Sequence, residues 1–162
     1  MQVNEATTLE ELKTIGQSLR ELWQDYQGQH FKYIGLNLVG RFQTYLNKLT
    51  ELADKVETHI NEVAVNRPEV DFTAVKAALA QFNTAIEQAQ GLIIEAEEIF
   101  TSITGGEGSL DLFKQGKAKL REAKEILHTA HKNLRDAIQE AKESVRITDT
   151  ETENTTERSI QE

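Results

Sequence analysis

One proline, Pro68, and nine glycines are the only strong punctuation in 162 residues of otherwise helix-favouring text. They divide the chain into four expected helices, because proline disfavours helix at the residue before it and lacks the amide that would continue one. The first is expected to start near Thr8, where Thr8-Leu9-Glu10-Glu11 forms a capping box: hydroxyl and carboxylate each satisfy an orphan amide of the other residue. Leu12, Ile15, Leu19, Leu22 and Tyr26 then repeat at 3,4 spacing, one face of a helix that ends near Gln27-Gly28.

A second helix is predicted from about Gln29 to Val65, its seam running from Leu38 through Phe42, Tyr45, Leu49, Leu52, Val56 and His59 to Val63. Asn66-Arg67-Pro68 stops it, and Asp71 is placed to cap a third helix whose seam runs from Phe72 to Ile103. After the loop Thr104 to Gly108, Ser109 is expected to cap a fourth, in which Leu alternates with Ala or Gly from Phe113 to Ala141. At 1.5 Å per residue the last three would each be roughly 50 to 58 Å long. Short connections make neighbours antiparallel, so the spacing predicts an all-α, up-down helical bundle: three long helices, a shorter N-terminal one and coiled-coil-like packing. Residues 1–147 form a single domain on this reading. From 148 to 162 the Thr/Glu-rich text offers almost nothing to bury, the pattern of a disordered acidic tail.

The most unusual stretch lies between Tyr26 and Thr50. It contains no Asp or Glu in a chain of net charge -9, yet carries Lys32, Arg41 and Lys48. Six of the chain's ten aromatic residues, Trp23, Tyr26, Phe31, Tyr33, Phe42 and Tyr45, fall in or just before it. Read as a helix, it puts Phe31, Ile34, Leu38, Phe42 and Tyr45 on one face, with Tyr33, Leu36 and Gly40 almost opposite. A helix apolar on two faces needs cover on both. Either the short first helix supplies that cover and the segment is core, or part of it is a partner-binding surface formed by Trp23, Phe31, Lys32, Tyr33, Leu36 and Arg41. The alternation of Ile34, Leu36 and Leu38 around Gly35 also allows a local break in the helix.

Chemistry is sparse. With no cysteine, disulfides, thiolate metal sites and cysteine nucleophiles drop out. Glu125 and His128 have the Glu-x-x-His spacing of di-iron bundles, but the helical arithmetic turns both outward and there is no second copy. His59 occupies a seam position, and His131 lies at the edge of the fourth helix's stripe. Gly105 to Ser109 lacks the Gly-Lys-Ser/Thr ending and preceding strand of a phosphate loop. No nucleophile, base and orienter stand at matched spacing, so the chain reads as non-enzymatic, without metal or cofactor.

The function expected is that of an interaction or scaffold protein, binding another protein or self-associating through segment 26–50. The alternative is a carrier of a small apolar or aromatic ligand held between helices near Trp23, Tyr26, Phe31, Tyr33, Phe42 and Tyr45. Contact with nucleic acid or a membrane surface ranks below both, because three cations stand against a strongly acidic background. No apolar run reaches the roughly 20 residues of a bilayer span. Residues Met1 to Thr8 show neither a basic n-region nor an apolar h-region, and the expected location is cytoplasmic.

Overall fold

The structure, a computed structural model, describes residues 8–159, and only the backbone of Ser144 and of 147–159. The expectation about a leader at Met1 to Thr8 therefore falls almost wholly outside the described residues, as do the last three positions of the expected tail. The described residues are all-helical: α1 (Leu9–Asn66), α2 (Thr73–Thr101) and α3 (Ser109–Ser159). No helix among them is long and apolar enough to cross a membrane.

Three helices replace the four expected. The capping box forms as read, with the Thr8 amide donating to Glu11 Oε2 (2.9 Å) and the Glu11 amide to Thr8 Oγ1 (3.2 Å). The helix it starts does not stop at Gln27-Gly28 but continues to Asn66. Gly28 is buried inside α1, and a Cβ there would collide with the backbone of Gly105. Its missing side chain serves a close backbone approach rather than a helix end. The helix is likewise unbroken around Gly35, so the strand-like alternation of Ile34, Leu36 and Leu38 produces no local break.

At the other boundaries the chemistry is local. Arg67 donates its amide to the Val63 carbonyl at the end of α1, and the Thr73 amide donates to Asp71 Oδ1 at 2.8 Å. A side-chain hydrogen bond from Thr73, and after it this backbone one, hold the Asp71 carboxyl below its ordinary value. Ser109 was expected to cap α3 with its hydroxyl; instead its buried Oγ donates to the Gly106 carbonyl at 3.0 Å, closing the loop. The Gly108 carbonyl accepts the first amides of α3, from Asp111 and Leu112. Gly105, Gly106 and Gly108 adopt φ of 105°, 80° and 91°, a run of left-handed conformations that only glycine takes without strain. The backbone of 148–159 continues α3 where a disordered tail was expected, and no glycine or proline stands there to end it.

The described residues gather into two compact units, residues 8–44 with 91–122 and residues 45–90 with 123–159. In the first, the core is built around Phe100, fully buried with Ile93, Ala96 and Ile103. Phe113 of α3 stacks on Phe31 (centroids 5.1 Å) and tilts against Phe100 (5.8 Å). Gly35 and Gly116 both abut the Phe100 ring. Between α2 and α3, Lys119 Nζ meets Glu95 at 2.6 Å, and the hydrogen bond and charge of Glu95 raise the lysine above its ordinary value.

In the second unit, α2 supplies Val75, Leu79, Phe82, Ala85 and Ala89, and α3 supplies Ala123, Leu127, Ala130 and Leu134. All but Ala85 belong to the expected seams, while Ile86, expected in the α2 seam, is half-buried. The α1 contribution agrees only in part: Leu49 is buried as expected, but Tyr45, Leu52 and His59 of the same expected seam are exposed, and Leu46, Ala53 and Ile60 are buried instead. The packed face is rotated toward the small Ala53, which is 3% exposed. His131 rests beside Phe82, its ring centroid 6.3 Å away.

Candidate functional site: an exposed apolar face on α1

The seam Leu12, Ile15, Leu19, Leu22 and Tyr26 was expected to be core. Instead Leu12, Leu19, Leu22 and Tyr26 are exposed, and only Ile15 is half-buried. The cause is a phase shift along α1. At 3.6 residues per turn Leu12, Leu19, Leu22, Trp23, Tyr26 and Tyr33 lie within an arc of about 100°, with Gly28, Gly35 and Val39 almost diametrically opposite. Those three are the buried positions, so the packing surface is the far side of the same helix.

Along the exposed arc the aromatic rings touch one another. Trp23 stacks on Tyr26 (centroids 5.9 Å, planes 27° apart), and Tyr26 on His30 (6.3 Å, 11°). Such i,i+3 and i,i+4 pairs are neighbours on a helix surface. Trp23 is 59% exposed and Tyr33 71%. Opposite them the Gly106 amide meets the Gln24 carbonyl (3.5 Å) and Gly28 abuts Gly105, so the α2–α3 loop occupies the other side of this turn.

The six residues expected to form a partner surface separate into two groups. Trp23, Tyr33 and Arg41 are exposed. Phe31, Lys32 and Leu36 are half-buried, and the first two have internal roles. Phe31 stacks on Phe113, while Lys32 Nζ donates to the Thr101 carbonyl at 2.8 Å. A cation on the final carbonyls of a helix complements both its unsatisfied acceptors and its dipole, so Lys32 works as a cap for α2. Leu12, Leu19 and Leu22 were missed as surface residues; the signal available was that the 12–26 seam and the 38–63 seam do not share a phase.

A concavity lies elsewhere, in the second unit. Its volume is about 650 Å³, and its walls include Val56, Ile60 and Val63 of α1, Val75 of α2, and Ile138 and Ala141 of α3. None of Trp23, Tyr26, Phe31, Tyr33, Phe42 and Tyr45, the residues expected to hold a carried ligand, lines it. Among the described residues no group of three or more His, Asp or Glu is gathered to hold a metal. Glu125 and His128 are exposed, as the helical arithmetic indicated. No protein-family model, curated protein or solved structure matches the chain.

Proposed function

We propose that this chain is a non-enzymatic interaction protein, a helical scaffold that binds a helix of another protein or of a second copy along the exposed face of α1. The observation that carries the reading is that Leu12, Leu19, Leu22, Trp23, Tyr26 and Tyr33 stand in water on one side of a helix whose other side is packed from Gly28 onward. Single exposed apolar residues are ordinary, but a contiguous patch is a feature of interaction sites. The spacing supports a helical partner. Leu12, Ile15, Leu19, Leu22 and Tyr26 alternate by three and four, the pattern that seats knobs of a facing helix into holes. Trp and Tyr are also the residue types most often found as energetic anchors at interfaces. The reading takes each unit as a coiled-coil-like bundle in up-down order, supported by the short connections 67–72 and 102–108.

A photo-crosslinking amino acid at Trp23, compared with one at the exposed Glu87 of α2, tests the assignment. The expected result is a discrete adduct from position 23, either of twice the chain's mass or with one defined protein, that is absent from position 87. It should be lost when Leu22→Ser and Tyr33→Glu are combined, with the thermal melt unchanged. Equal adducts from both positions, or none from position 23, would overturn the reading.

A further inference from the structure

We propose that the cleft of the second unit is a binding site for an anionic single-chain amphiphile of the long-chain carboxylate class. The cleft has the size of a small-molecule site, about 650 Å³ against the 300–1,000 Å³ usual for ligand pockets. Its most buried walls are Ile60 and Val75, with Val63, Phe72 and Ile138 half-buried around them. An apolar body is what such walls accept.

The charged groups at the same cleft select the head. Lys55 and His59 come from successive turns of α1, and Lys142 and Arg146 from successive turns of α3. Among the described residues no Asp or Glu lines the cleft, although acidic residues outnumber basic ones 27 to 18 in the chain. Long cationic side chains lay their methylene stems along apolar surface and carry the charge outward to water. Lys55 and Lys142 are therefore suited to wall the cleft with their stems and to line its mouth with positive charge. An anionic head there gains charge-assisted hydrogen bonds while its chain is withdrawn from water. A cationic amphiphile would meet like charge, and a neutral one would gain only the burial. This inference does not depend on the reading of the α1 face.

Isothermal titration of the full chain with decanoate, decan-1-ol and decylammonium, each below its micelle concentration, tests the proposal. Decanoate is expected to bind one per chain and at least about tenfold more tightly than decan-1-ol, the factor expected of a hydrogen bond to a charged group. Decylammonium should bind more weakly than either. Lengthening the carboxylate should tighten binding by up to about fourfold per methylene until the cleft is full. Ala141→Trp, which fills the cleft, should abolish binding. Lys55→Glu with Lys142→Glu, both at exposed positions, should remove the preference for decanoate while leaving decan-1-ol within about threefold. Leu22→Ser on the α1 face should change nothing.

Absence of decanoate binding would overturn the proposal, as would equal affinity for all three amphiphiles. Loss of binding in Leu22→Ser, or retention in a folded Ala141→Trp, would place the ligand elsewhere. Association with anionic vesicles but not with monomeric decanoate would assign the cations to a lipid surface instead.

Discussion

Gly116 of α3 abuts the fully buried ring of Phe100, so closely that a Cβ at that position would fall within the ring's van der Waals surface. Gly35 of α1 makes the same approach from another helix. The aromatic ring thus takes the space that two side chains would fill.

Substitution at these glycines should therefore act through overpacking. Gly35→Ala and Gly116→Ala are each expected to destabilise by about 1–3 kcal/mol in urea unfolding. Gly40, in the same helix as Gly35, has open space where its Cβ would be. Gly40→Ala should be neutral or stabilise by up to about 1 kcal/mol through helix propensity. If all three respond alike, the Phe100 packing described above is wrong.

The corrected phase of α1 gives an equally direct contrast. Leu49→Ala should cost about 2–5 kcal/mol because Leu49 is buried, and Ile93→Ala a comparable amount. Tyr45→Ala, in the same stretch but exposed, should stay within about 0.5 kcal/mol of wild type. Denaturant midpoints of the Leu49 and Tyr45 variants decide whether Tyr45 shares the packed face of α1, as the expected seam had it, or stands outside it.

Asp71 supplies a pH dependence whose sign follows from its hydrogen bonds to Thr73. Its folded value is lowered, so the cap's contribution is fully present above the ordinary carboxylate value of 3.8 and is lost as pH falls through the folded value. Asp71→Asn keeps an acceptor but cannot titrate. Melting curves of the two proteins at pH 7 and pH 2.5 should show wild type losing more stability on acidification than the variant. Equal losses would mean that the cap carries no titrating contribution.

Truncation after Ile147 should leave the cooperative melt within a degree or two of wild type, since the residues beyond it offer almost no apolar surface to bury. A large fall in melting temperature would show that this segment contributes to the packed helices.

Much of the helical content was readable because a 3.6-residue period leaves a strong trace when each helix buries one face. That condition holds for α2 and α3, where Val75, Phe82, Ala89, Ile93, Leu120, Leu127 and Leu134 are buried as their spacing indicated. It fails for α1, which carries two apolar stripes out of phase, and sequence periodicity does not say which stripe meets the neighbours. Gly28 and Gly35 were decisive there, yet a glycine reads alike as a break and as a contact. The internal roles of Lys32 and Phe31 depend on Thr101 and Phe113, residues distant along the chain. The cationic cleft was hidden for the same reason: Lys55 and His59 meet Lys142 and Arg146 only after folding.

The unbroken passage of α1 through Gly28 also sets how its exposed turns hold their shape. An isolated helix of that length would bear the full nucleation penalty, a factor of roughly 10⁻³, and would be marginal in water. Here the packed turns beyond Gly28 serve as the nucleus, and the exposed turns need only propagate from it. Opening should therefore travel inward from Thr8 one turn at a time, so that amide protection rises gradually along the face. On the proposed interaction reading, a partner arriving at Trp23 or Tyr33 would find a surface already ordered, whereas one reaching toward Leu12 would complete the ordering as it binds.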